Sequence, residues 1–283
     1  MSMLSESERQ AYARDGFIAP FTAMSDEEAR GYRELLEDFE RELGASLPAG
    51  EARFRYKTHL LLPWVAELVR HPRIVDAVED LIGPDILCWT CTWFIKEPGS
   101  EALTLPHQDA TYFGLRPHEH VTAWLALSEA SDHSGCMRFV PGSQQRGQVQ
   151  HVARADPNSI NGGGQRVDLE VDAERTVPAP LRPGQFSLHH TLCIHTSGAN
   201  RSADRRIGLG ISYVPTRVRH IGSTRMPASL VRGVDHYHHF DLEPMPTVAR
   251  ADDAHLRHYR RYREGYNEQI DWHAAGRGWQ AGA

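Results

Sequence analysis

At 283 residues, 40% apolar and 24% charged, the chain is long enough to bury a full core and has the composition of an ordinary globular protein. A net charge of −6 without a basic stripe gives no handle for nucleic acid, and no apolar run approaches a membrane span. The acidic start Met1-Ser2-Met3-Leu4-Ser5-Glu6 is unlike a signal peptide, so a cytoplasmic location is expected, where iron stays ferrous.

The first third reads helical. Ser5 with Glu8, and Ser25 with Glu28, have the spacing of a capping box, in which the serine hydroxyl and the glutamate carboxylate each satisfy a free backbone N–H at a helix start. Ala29 to Leu43 then carries an amphipathic pattern closed by Gly44, and His71-Pro72 to Leu81 predicts a further helix stopped before Gly83. The stretch 47–54 reads as loop. From Asp85 the character changes to short β-rich runs near 86–96, 103–109, 121–128, 136–140, 185–190 and 206–214, separated by Gly, Pro, Asn and Asp. Segment 142–176 is long and polar, with Asn161-Gly162-Gly163-Gly164 at its centre, the composition of a disordered segment or a functional lid. A closing helix is expected near Asp252 to Ile270 from its charge pattern. The expected organisation is one domain over 1–283: a mostly helical part (1–84) packed on a β core (85–215), followed by a C-terminal extension (216–283). The fold class is mainly β with flanking helices.

Chemistry concentrates in Leu105-Pro106-His107-Gln108-Asp109 and, far downstream, Cys193-Ile194-His195-Thr196-Ser197-Gly198. His-x-Asp with a remote His is the ligand set of the facial triad that holds non-haem Fe(II) and leaves the opposite face open for a cosubstrate and O2. With 17 histidines in the chain such a match arises easily by chance, so its surroundings carry the argument. On a strand, residues two apart share a face, so His107 and Asp109 converge while Gln108 faces away. Eleven residues after His195 stands Arg206, and the turn-rich stretch between the two apolar runs reads as a hairpin loop. An arginine on the return strand would grip the far end of a dicarboxylate with its planar fork. The metal triad favours a jelly roll over an immunoglobulin-like sandwich.

Other motifs weigh less. Cys88-Trp89-Thr90-Cys91 has the look of a zinc or redox pair, but on a strand residues three apart face opposite sides, and buried structural thiols are the better reading. His189 is an alternative to His195 as the distal ligand. The cluster His236-Tyr237-His238-His239-Phe240 reads as a solvated loop rather than a cap over the site.

Taken together, Asp15-Gly16-Phe17, the block His107 to Leu115, Ala123-Trp124-Leu125-Ala126-Leu127, Gly135 to Ser143 and Ile194 to Asn200 resemble the phytanoyl-CoA dioxygenase family of Fe(II)- and 2-oxoglutarate-dependent oxygenases, from Asp15 through the strand after Arg206. The resemblance implies a double-stranded β-helix, the cupin-like jelly roll. It implies His107, Asp109 and His195 as iron ligands, Arg206 and Ser197 as contacts to the distal carboxylate of 2-oxoglutarate, Lys57 as a further contact to cosubstrate or substrate, and Trp124 on the strand lining the cosubstrate pocket. The family usually has Asn where Ser134 stands and His where Gln144 stands, two departures away from the metal. Related halogenases replace the carboxylate ligand by a small residue so that chloride can bind, and Asp109 at that position points to oxygenation instead.

The implied reaction consumes 2-oxoglutarate and O2, releases succinate and CO2, and oxidises a C–H bond of a small-molecule substrate. Hydroxylation is the default outcome, and cyclisation, epimerisation and desaturation are open to the same site. A non-redox metal-binding jelly roll is the alternative, and it leaves Arg206 without a task. Candidate substrate contacts are Tyr112, Phe113 and Arg138. No adenine or pantetheine signature is visible, so a small polar metabolite or natural-product intermediate is expected rather than an acyl-CoA. The sequence leaves the oligomeric state open.

Overall fold

Both capping boxes form. Ser5 and Ser25 accept from the backbone N–H of Glu8 and Glu28 at 3.3 and 3.2 Å, and the glutamates accept the serine N–H at 2.7 and 2.8 Å. They open helices α1 (Glu6–Asp15) and α2 (Asp26–Leu43), which end on Gly16 and Gly44 in the left-handed conformation. Helices α3 (Pro63–Val69) and α4 (Pro72–Ile82) each start on proline, whose missing N–H costs nothing in a first turn. The structure, a computed structural model, describes residues 2–47, 52–153, 156–161, 165–222, 225–246 and 259. The helix expected over 252–270, Tyr259 apart, and the glycine run at 162–164 lie outside the described residues.

The strands are β1 (Phe17–Thr22), β2 (Ile86–Lys96), β3 (Thr104–His107), β4 (Leu115–Arg116), β5 (Val121–Ala126), β6 (Met137–Phe139), β7 (His151–Ala153), β8 (Gln165–Val167), β9 (Val177–Ala179), β10 (Gln185–His190), β11 (His195–Ser197), β12 (Arg206–Pro215), β13 (Arg219–His220), β14 (Pro227–Arg232) and β15 (Asp241–Leu242). A short helix, α5 (Ala110–Phe113), follows β3. Seven strands form a large sheet in the order β1-β10-β5-β12-β2-β14-β15, and four form a smaller one, β3-β11-β6-β9. The architecture is the jelly roll that the strand pattern and the triad predicted.

Period-two alternation sorts the large sheet. On β12, Ile207, Leu209 and Ile211 join the core with Val65, Val69, Ile74 and Val78 of α3 and α4, while Arg206, Gly210 and Ser212 line the interior between the sheets. Three strands of this sheet, β1, β14 and β15, come from segments read as helical or as extension. β1 adds to the edge of the large sheet beside β10, and β14 pairs with β2 on the other side. Segment 142–176 is not structureless: it holds short 3-10 turns at Ser143–Arg146 and Ala173–Arg175 and the β7–β8 ribbon.

Two expectations need correction. The stretch after His195 is not a hairpin loop: β11 belongs to the small sheet and β12 to the large one, and β5 lies between β10 and β12. It is an arch between sheets, held by Asn200, whose Nδ2 donates to the carbonyls of Lys96, Glu97 and Asp204 at 2.8–3.1 Å. A turn-rich composition is common to arch and hairpin. The parity argument for Cys88 and Cys91 also fails. The β2–β12 register slips between Tyr213↔Cys88 and Ser212↔Thr90, so a bulge at Trp89 brings both cysteines into the same core beneath the helices. They remain buried free thiols, as expected.

Candidate active site

β3 and β11 pair antiparallel with His107 opposite His195, which brings the two rings to 4.1 Å between centroids. Asp109 arrives by a route that strand parity did not anticipate. β3 stops at His107, and Asp109 has helical backbone (φ −58°, ψ −34°) where the chain turns into α5. The turn swings its carboxylate back, so that Oδ1 lies 3.6 Å from Nε2 of both histidines and the three potential ligand atoms fall within 4.8 Å of one another.

The surroundings prepare these atoms for a metal. His107 Nδ1 donates to the Leu105 carbonyl at 2.7 Å, and His195 Nδ1 to that of Cys193 at 2.9 Å. A proton committed to Nδ1 leaves the Nε2 lone pair free for ligation. Oδ2 of Asp109 accepts from Thr122 Oγ1 at 2.8 Å and faces His189 Nε2 at 3.3 Å, so Oδ1 alone is left to the metal. Burial alone would raise the Asp109 carboxyl, but His195, His107 and His189 hold it well below the usual carboxylate range. Burial, then the neighbouring His107, pushes His195 well below the usual imidazole range and keeps it neutral. Two neutral imidazoles and one single-oxygen carboxylate converging on a point fit Fe(II) with open positions.

Gln108 faces away from that point and brackets the long loop. Its Nε2 donates to the carbonyls of Gly147 and Leu192 at 2.9 and 2.8 Å, and its Oε1 accepts from Val149 N at 2.9 Å.

The triad opens into a cavity between the two sheets. Trp124, Ser197, Arg206 and Phe113 line it, along with Thr92, Phe94, Thr104, Thr122, Met137, His189, Gly210 and Ser212. Arg206 is 1% exposed. Its Nη1 donates to the Gly135 carbonyl at 2.9 Å and its Nη2 to that of Phe94 at 3.3 Å, while Nε has no partner among the described residues. Its guanidinium lies 5.2 Å from the Trp124 ring centroid, and Trp124 Nε1 is likewise unpartnered. Two unspent donors buried in one cavity are an acceptor site awaiting its acceptor.

Trp124 keeps its place because Gly208 has no side chain: a Cβ there would stand 1.9 Å from Trp124 Cζ2. Gly208→Ala therefore forces the indole toward the cavity. We expect KM for 2-oxoglutarate to rise about 10-fold, the usual cost of overpacking, with metal affinity unchanged. Separate metal and cosubstrate titrations check it, and an unchanged KM would contradict the role of Trp124.

The structure does not bring the remaining candidates to the cavity lining. Lys57 is fully buried, ion-paired to Glu243 at 2.5 Å and near the Trp89 ring, and Glu243 arrives from the C-terminal extension. Arg138, on the face of β6 away from the cavity, binds Asp132 at 2.7 Å and Thr176 Oγ1 at 2.9 Å. Tyr112 packs edge-on against His107, and its hydroxyl accepts from Asn161 and donates to the Gln165 carbonyl. His236, Tyr237 and His238 are exposed, the solvated loop expected of them, while Phe240 is buried against Trp89.

Sequence reasoning missed Thr122 and Lys96. Thr122 stands two residues before Trp124 on β5, so parity alone placed it on the same face. Lys96 ends an apolar strand run, and a lysine there reads first as a solvent-exposed terminus. His189 lines the cavity beside Asp109 rather than replacing His195 in the cluster.

The model of the family described as phytanoyl-CoA dioxygenase (PhyH) matches residues 12–208. The L-proline trans-4-hydroxylase of Streptomyces griseoviridis is 27% identical over 225 residues, 71% of this chain and 83% of that protein. A solved structure described as a non-haem monooxygenase, ThoJ, superposes with a TM-score of 0.82 at 29% identity over 93% of this chain and 97% of that one. CytC3, solved with Fe(II) and α-ketoglutarate, superposes at 0.65 and 26% identity, covering 88% and 95%. With that match over most of its length and the triad assembled in the cavity, the chain belongs to the phytanoyl-CoA dioxygenase family of non-haem iron, 2-oxoglutarate-dependent oxygenases.

Proposed function

We propose that the protein hydroxylates an unactivated C–H bond of a small polar metabolite or natural-product intermediate, with succinate and CO2 as coproducts. The observation that carries this reading is the convergence of Oδ1 of Asp109 and two oriented Nε2 atoms at the wall of a cavity whose other end holds Arg206 with a free donor. A non-redox metal protein would have no use for that buried arginine. Bound Fe(II), with 2-oxoglutarate and O2, supplies the oxidant that takes a hydrogen atom from substrate and returns a hydroxyl.

This chain's residues do the positioning. His107, Asp109 and His195 hold the metal from one side. Arg206 and Ser197 fix the distal carboxylate, and the Trp124 ring beside them limits how the chain of the cosubstrate lies. Thr122 keeps Asp109 from binding through both oxygens. Phe113 excludes water from the reacting end, while the hydroxyls of Thr92 and Ser212 offer polar contacts to substrate. The similarity to a proline hydroxylase supports the same class of substrate.

The test is a screen of amino acids, small carboxylic acids and natural-product intermediates, read by succinate release and product mass. Gain of one oxygen is expected. Loss of two hydrogens would move the assignment to cyclisation or desaturation. Tight metal binding with no 2-oxoglutarate consumption, even uncoupled, would overturn it in favour of a non-redox metal protein.

A further inference from the structure

Lys96 closes β2 with its side chain turned into the protein, opposite Arg206 in the β2–β12 register, and it is 0% exposed. Its Nζ donates to Ser197 Oγ at 2.7 Å and to the carbonyl of Gly198. Ser197 Oγ in turn donates to Thr104 Oγ1 at 2.9 Å. Ser197, Thr104 and Arg206 all line the cavity, so Lys96 stands directly behind its polar end.

No carboxylate pairs with Lys96 among the described residues. The adjacent Glu97 turns away to Arg205, at 2.9 Å. The other titratable group beside it, Cys136, is a thiol that burial pushes up to about 11. Two cationic side chains thus share a dry pocket with nothing to neutralise them. Burial, and then the charge of Arg206, pulls Lys96 down to about 6, whereas Arg206, also lowered by burial, stays at about 9. The lysine is the one that gives up its proton. A neutral amine has two N–H bonds, and both are spent on Ser197 and Gly198. Protonation adds a third donor, for which no described residue offers an acceptor.

We propose that Lys96 is a second contact for the distal carboxylate of 2-oxoglutarate and that it takes up a proton from solvent as the dicarboxylate binds. This rests on the assignment of Arg206 and Ser197 to that carboxylate. The incoming anion is the missing counter-charge for both cations, and it converts Lys96 from amine to ammonium. The sign follows: a group protonated in the complex but not in the free site favours binding at low pH. Affinity for 2-oxoglutarate therefore falls as pH rises above about 6, by about tenfold per unit, until the bound lysine itself loses its proton.

The test is calorimetric titration of 2-oxoglutarate into the full-length, Fe(II)-loaded protein without O2, at about pH 7.5, in phosphate and in Tris, whose ionisation heats differ. The wild type is expected to take up close to one proton per cosubstrate, and Lys96→Met close to none, with weaker binding that no longer depends on pH. Lys96→Arg, permanently charged, should bind without uptake. Binding without uptake in the wild type, or undiminished uptake in Lys96→Met, overturns the proposal. Should Lys96→Met fail to fold, the wild-type pH profile decides, and a flat affinity between about pH 6 and 8 is the overturning result. Absence of any binding in the wild type would instead overturn the cosubstrate assignment itself, and this proposal with it.

Discussion

Asp109→Ala loses metal-dependent succinate formation, by far more than the 10–100-fold that follows removal of an outer partner of a metal ligand. Its Oδ1 is the one anionic atom among the three that converge, 3.6 Å from each histidine Nε2. Alanine leaves two neutral donors and a water-sized gap where a charge had offset the dication. The variant should still fold, because Thr122 and His189 lose only an acceptor and the β3–β11 pairing that sets His107 opposite His195 is backbone-made. Metal titration and succinate release measured on one preparation check it. Retention of uncoupled turnover in this variant would sink the triad. Because the substitution opens a coordination site of small size, added chloride should be tested for chlorinated product as well.

Arg206→Gln raises KM for 2-oxoglutarate by about 100-fold or more while metal affinity stays near that of the wild type. Truncating one member of a buried, hydrogen-bonded charge pair costs about 2–5 kcal/mol, which corresponds to about 30-fold to several thousand-fold. The arginine is held ready before the cosubstrate arrives, with two nitrogens fixed on the carbonyls of Gly135 and Phe94 and the guanidinium beside Trp124. Lysine at the same position should recover little, since it lacks the fork that meets a carboxylate and those carbonyls at once. The loss should fall on KM more than on kcat, because the far carboxylate is bound alike before and during reaction. An unaltered KM would remove Arg206 from the cosubstrate site.

The jelly roll and the triad were legible in the sequence because both are written locally. Capping boxes, strand composition and the His-x-Asp spacing each depend on residues a few positions apart. What was not legible depends on distant pairing. β1 reads as a break between two helices until β10 offers it an edge, and the arch after His195 resembles a hairpin until β5 is found between its presumed arms. Asp109 converges with His107 through a turn into α5, so the right conclusion came from the wrong geometry. Lys57 sits 186 residues from Glu243, and no local pattern announces that its charge is already matched. Thr122 could have been found by counting two back from Trp124.

That long separation has a consequence for how the molecule is made. Lys57 lies fully buried against Trp89, and its carboxylate partner enters the chain only near the end of the described residues. Until Glu243 has been synthesised, a nascent chain that closed around Lys57 would have to bury it as an unmatched ammonium or strip it of its proton, and either costs stability. Final consolidation of this end of the barrel therefore waits for the segment that carries Glu243, and contacts so far apart in sequence form slowly. The helical layer is expected to form ahead of the barrel, which depends on the segment carrying Glu243 to shut it.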